Sequence, residues 1–221
     1  TLKFTIMKKL LIISTLIFSS FSFAQDSLSI RKTKVIAFSP KKFIADNANG
    51  INFGILDEYD HQKINGINFQ LNPFVLIYPL LPKGIDVPTE QNATVTVNGL
   101  SISTGGMTDG KKLNGIAISA YHHAMITNGI SANFYNNTSG KLNGIHVSGF
   151  ANNSDKGAGI TVAAMGNYSE NFSGIQLAFF NKAKSMKGVQ IGLSNKSDKL
   201  KGLQVGLWNK NGKRSLPIFN F

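Results

Sequence analysis

Three scarcities narrow the field before any motif is sought. The 221-residue chain contains no cysteine, which excludes disulfides, thiolate metal sites and lipid attachment through an N-terminal Cys. Arginine is nearly missing, with only Arg31 and Arg214. A nucleic-acid surface gathers arginines and stacking aromatics on one face, so no nucleic-acid partner is expected. After the first two dozen residues no apolar periodicity of 3.6 appears, so no helix is expected in the mature chain.

What is present is apolar, glycine-rich and ordered. Hydrophobic residues make up 42% of the chain, and 22 glycines exceed ordinary usage. The apolar residues are mostly Ile, Leu, Val and Phe at regular positions, which disordered tracts lack.

The front reads as an export address. Met7-Lys8-Lys9 is basic, Leu10 to Phe23 is apolar, and Ser22-Phe23-Ala24 before Gln25 offers the small residues a signal peptidase needs. A signal peptide over 1–24 is expected, with Thr1 to Ile6 upstream of the true start. A membrane anchor is the competing reading, but the apolar run is short for a span and no basic stop follows it. Cleavage would remove Lys3, Lys8 and Lys9 and no acid, lowering the net charge from +12 to +9. The remaining lysines cluster between the apolar segments, where they keep loops in water and guard strand ends, or draw the chain to anionic surface polymer.

The dominant feature is repetition. "KLKGLQVGLWNKNGK" at 199–213 nearly copies "SMKGVQIGLSNKSDK" at 185–199. Aligning on glycine extends the phrase across residues 25–221, a single domain whose units begin at Gly50, Gly66, Gly84, Gly99, Gly115, Gly129, Gly144, Gly159, Gly174, Gly188 and Gly202. From Gly99 onward the spacing is 14 to 16 residues, and the unit at Gly84 is degenerate.

Within a unit the period is two. One parity carries Ile116 and Ile118, Ile175 and Leu177, Val189 and Ile191, Leu203 and Val205. The other carries glycine and then small or polar residues, such as Ser131 and Asn133, Gln190 and Gly192, Gln204 and Gly206. Alternation with β-branched residues predicts strands. The segments Asn136–Gly140, Asn152–Lys156, Asn181–Ser185 and Asn195–Lys199 are predicted as turns from their Asn, Gly, Ser and Asp content. The fold class is all-β, about 12 strands, with Ser29 to Ser39 opening and Ser215 to Phe221 closing.

An open sheet of this length would leave its aliphatic side in water, so the face has to be closed off. The first architecture that does so is a closed antiparallel outer-membrane β-barrel, its aliphatic side toward lipid and its glycine side hydrated. The alternative is a parallel β-solenoid with two repeats per coil, its two sheets pressing their aliphatic sides together. Strands of about 9 to 11 residues suit the barrel. The aromatics Tyr121, Tyr135, Phe150, Phe180 and Trp208 could form a girdle, although they fall on the polar parity. The ending Leu216-Pro217-Ile218-Phe219-Asn220-Phe221 looks like the signal read by the outer-membrane insertion machinery through Phe221. Equally short turns, each with an asparagine at the strand end (Asn181, Asn195, Asn209), suit a solenoid with an asparagine ladder.

With these units and this ending, the chain resembles the glycine-rich surface-repeat proteins of Bacteroidetes and leptospires, from roughly Asn49 to Phe221. The resemblance implies an uncharacterised cell-envelope protein and brings no catalytic residues. Leptospiral members are often lipoproteins, a state this cysteine-free chain cannot adopt.

Several constellations compete with ordinary explanations. "GGMTDGKK" at 105–112 matches a P-loop until Lys112 stands where Ser or Thr should hold Mg²⁺, and a turn between repeats explains it better. His122-His123, with His61 and His146, would ligate metal only if the fold gathered them. Asp57, Glu58 and Asp60 form an acidic loop that hard cations would suit, though a solvated loop is the default. Asn92, Asn136 and Asn152 sit in glycosylation sequons, and no nucleophile elbow accompanies the Ser, His and acidic residues. No enzyme, cofactor or metal is therefore expected. Two functions remain: an outer-membrane or surface-exposed β-repeat protein acting as a small pore or passive surface component, or a solenoid scaffold binding envelope polysaccharide or protein. Outer-membrane lipid or surface polysaccharide is the expected partner. The expected location is the outer membrane or cell surface, with the periplasm as the alternative.

Overall fold

The computed structural model describes residues 33–39, 47–55, 62–73, 95–105 and 111–221, all within one compact unit, Arg31–Phe221. Residues 1–24, where a signal peptide is expected, and the acidic cluster at 57–60 lie outside the described residues, as do His61, Gly84 and Asn92.

The strands are β1 (Thr33–Ser39), β2 (Asn47–Ile55), β3 (Lys63–Leu71), β4 (Val95–Ser103), β5 (Lys111–Ser119) and β6 (His122–Asn133). They continue as β7 (Asn136–Ser148), β8 (Ala151–Ala163), β9 (Gly166–Leu177), β10 (Phe180–Ile191), β11 (Ser194–Lys210) and β12 (Ser215–Asn220). All lie in one sheet in chain order. β1 to β11 pair in parallel, each with the next, and only β12 returns antiparallel, against β11.

Parallel neighbours ordinarily need a crossover of a dozen or more residues. Here β9 and β10 are separated by two, Ala178 and Phe179, as are β10 and β11 by Gly192 and Leu193. The geometry closes because each strand itself wraps around the axis: Gly174 pairs with Gly188 and Gly188 with Gly202, so every residue lies above its counterpart one repeat earlier. This is a parallel β-solenoid with one repeat per coil, where two had been expected. The barrel does not form: its strands would be antiparallel and its first would meet its last, whereas β1 pairs with β2 and β12 with β11. Gly66 pairs directly with Gly99.

Glycine makes the wrap possible. Ten repeat glycines, from Gly50 to Gly202, hold φ between 120° and 146°, where L side chains are rare. A Cβ on Gly202 would also run into the carbonyl oxygen of Gly188 in the rung below.

The segments predicted as turns are strand. Asn136–Gly140 lies in β7, Asn152–Lys156 in β8, Asn181–Ser185 in β10 and Asn195–Lys199 in β11; the corners are the two residues before each of these strands begins. In a register-matched stack an asparagine meets another asparagine above and below it, and that pairing overrides its local turn preference. The aromatics Tyr135 and Phe150 sit at these corners, stacked at 5.0 Å between ring centroids, which resolves their awkward parity.

The largest departure concerns the faces. Ile116, Ile118, Ile130, Ile145, Val147, Ile175, Leu177, Ile191, Leu203 and Val205 are 36% to 49% exposed, while Ser131, His146, Gln176, Gln190 and Gln204 are buried. The expected arrangement, aliphatic side hidden and glycine side hydrated, is reversed. The cause lies two residues before most of the glycines, at Ile64, Val97, Leu113, Leu142, Phe172 and Met186. These apolar residues share the parity of the polar set, and burying them carries the serines and glutamines inward.

Candidate functional site

The interior is a set of columns. Asn152, Asn167, Asn181, Asn195 and Asn209 form one, each amide donating to the next carbonyl oxygen at 2.8 to 2.9 Å. The same nitrogens of Asn152, Asn167, Asn181 and Asn195 donate at 2.9 Å to a backbone carbonyl ten residues on, closing the corner. Gln204 donates to Gln190 and Gln190 to Gln176, both at 2.8 Å. Buried amides stacked in register satisfy one another, which removes the desolvation cost that otherwise keeps them out of cores. The column of asparagines anticipated at Asn181, Asn195 and Asn209 is present.

Between β5 and β8 the columns change identity, and the histidines fall there. His122 Nε2 lies 2.9 Å from Thr127 Oγ1, which lies 2.9 Å from Ser139 Oγ. His146 Nδ1 lies 2.9 Å from Ser131 Oγ, which accepts from Asn137 Nδ2 at 2.9 Å. The fold therefore places His122 and His146 in one interior, where sequence had scattered them. Burial pushes His122 down to about 3, with the neighbouring His146 and His123 adding repulsion. Burial also lowers His146 to about 4, against a backbone hydrogen bond at Asn143 that raises it. Both rings are neutral at pH 7. His146 Nε2, Asn137 Oδ1 and Thr161 Oγ1 have no hydrogen-bond partner.

A Ser–His contact at hydrogen-bond distance invites a catalytic reading, and the geometry argues against it. Among the described residues no carboxylate contacts the ring, and Ser131 and His146 both have 0% exposure, which shuts the hydroxyl off from solvent. Among the described residues no group of three His, Cys, Asp or Glu stands close enough to hold a metal ion. Lys111 and Lys112 open a strand, not the helix a P-loop requires. Asn152 is buried in its ladder and inaccessible to glycosylation, and Asn136 opens β7 with its Oδ1 buried. Phe221 projects from a terminal cap: Arg214 donates to its carbonyl oxygen at 2.9 Å and sits 4.3 Å over its ring. Asn220 donates to Gln204 at 3.2 Å, ending the glutamine column with an amide rather than leaving it open.

The exterior has columns of its own. One residue before the glycines, Asn49, Asn65, Asn98, Asn114, Asn128 and Asn143 form a half-exposed amide ladder with links of 2.7 to 2.9 Å. Past the glycines run the two aliphatic columns, and beyond them stand Phe134 and Phe179 at corners and Leu207 and Trp208 within β11, all more than half exposed. Comparison of the chain with protein-family models, with curated proteins and with solved structures returned no match.

Proposed function

We propose that the chain is an exported, non-catalytic repeat scaffold that binds a cell-envelope component, polysaccharide or protein, through its outer surface. The observation that carries this reading is the division of chemistry between the two sides of the wall. Inside, most polar groups are consumed by their own ladders; outside, regular columns of Asn, Ile, Val and Lys repeat along the axis. A rung spacing of about 4.8 Å multiplies any weak contact by the number of rungs. Solenoids use their long surfaces in this way. The leader-like segment at 1–24 and the resemblance to envelope repeat proteins support export.

Fractionation of cells producing the tagged chain, with external protease added to intact cells, tests the reading. Recovery with the envelope and loss of the tag on protease treatment is the expected result. A chain confined to the cytosolic fraction contradicts it.

A further inference from the structure

The aliphatic columns form a patch at the upper end of what an ordinary monomer carries. From the first to the fifth position after the glycine spans about 13 Å, and ten rungs span about 48 Å, a footprint of roughly 600 Å² before side-chain relief. The largest apolar patch on an ordinary monomer is about 300–600 Å² and tends to be functional. The cap extends the patch, because Phe219 of β12 lies opposite Val205 and is 55% exposed.

Its two long edges differ. Along one, Lys63, Lys112, Lys141 and Lys199 stand three residues before their glycines, and Lys187 and Lys201 stand one before. Along the other run the exposed aromatic and leucine side chains of the corners. The acids come one residue further round than the outer lysines: Asp198 precedes Lys199, and Glu170 is paired with Lys184 at 3.5 Å.

Resting on the scaffold reading above, we propose that this face seats the solenoid on an anionic lipid surface. The aliphatic columns lie against the acyl boundary, the aromatic corners sit at the interface, and the lysine edge meets the headgroups. Charge decides between candidate occupants. A second copy would bring lysine columns of its own, whereas an anionic headgroup layer supplies the opposite sign. Apolar and aromatic side chains on one face with lysines at its margin are what interfacial binders use, here on a wall of strands instead of a helix. Each lysine near such a surface adds to the attraction, which falls off within a Debye length.

The test places a polarity-sensitive fluorophore on single cysteines, which a cysteine-free chain permits without background. One label goes on Ile145→Cys in the aliphatic column and one on Lys182→Cys in a different outward column, each titrated with phosphatidylglycerol-containing and with purely phosphatidylcholine vesicles. Both labelled chains share every other segment, so a difference between them belongs to the face. A blue shift at Ile145→Cys with anionic vesicles, absent at Lys182→Cys, is expected. The shift should need roughly tenfold more phosphatidylcholine or beyond, and adding Lys141→Gln and Lys199→Gln should reduce that preference severalfold. Equal shifts at both sites, no shift at Ile145→Cys, or a shift that grows with protein concentration without lipid and so reports a second copy, each overturn the proposal. If the chain still fractionates with the envelope in those cases, the scaffold reading stands without its lipid seat.

Discussion

The early rungs and the late rungs solve the same problem in opposite places. In β2 to β7 the longest amide ladder is outside, running from Asn49 to Asn143. From β8 onward it is inside, running from Asn152 to Asn209, and the outer position passes to Ala158, Ser173, Lys187 and Lys201. The handover falls at β7 and β8, and there the unsatisfied atoms Asn137 Oδ1, His146 Nε2 and Thr161 Oγ1 collect. A column of identical residues satisfies itself; a column that changes residue leaves a donor or acceptor behind. Regularity in this fold is therefore a hydrogen-bonding requirement as much as a record of duplication.

The glycines are common to both regions, and breaking one should do the most damage. Gly188→Ala places a Cβ against the carbonyl oxygen of Gly174 at a φ of 127°. A loss of about 3 kcal/mol or more, or failure to fold, is expected in urea unfolding. The ladders separate next. Asn181→Ala removes a buried link on each side and should cost about 2–4 kcal/mol, whereas Asn128→Ala, on the half-exposed outer ladder, should cost about 1 kcal/mol or less. Equal costs would erase the distinction between the inner and outer ladders.

The handover region has its own signature in pH. His122 and His146 are held below their ordinary value of 6.5, so the unfolded chain binds protons first as pH falls. Stability is thus fully present above about 6.5 and is lost as pH drops toward 4 and then 3. His146→Gln should flatten the upper part of that loss in melting curves taken from pH 7 to pH 4, while a ladder variant such as Asn195→Ala should lower the curve at every pH without changing its slope. The smallest effect is expected at Thr161→Val. Removing an unpartnered buried hydroxyl of nearly the same shape should leave stability unchanged or raise it by about 0.5–1 kcal/mol.

Much of this fold was legible in the chain. Strands follow from the period of two, the 14-residue repeat from Gly174, Gly188 and Gly202, and the asparagine column from its recurrence at strand ends, whereas the closing of a full coil by one repeat rather than two did not show. The face assignment was not, because alternation says which residues share a side and is silent on which side is in. The decisive clue was the apolar residue two before most of the glycines, such as Leu113, Leu142 and Phe172, which ties an apolar column to the polar parity. Turn chemistry misled for a related reason: Asn181 reads as a loop residue until an identical residue is stacked on it. The meeting of His122 with His146 was illegible, since 24 residues of sequence become neighbouring rungs only once the register is known.

Single-cysteine protection tests the central claim most directly. Ile191→Cys and Gln190→Cys are adjacent in sequence and on opposite sides of one wall, so a maleimide reagent reads the face assignment without an intermediary. Fast labelling at Ile191→Cys in the native protein, with Gln190→Cys shielded until denaturant is added, is the expected result. Protection at Ile191→Cys with ready labelling at Gln190→Cys would contradict a solenoid whose polar ladders line the interior.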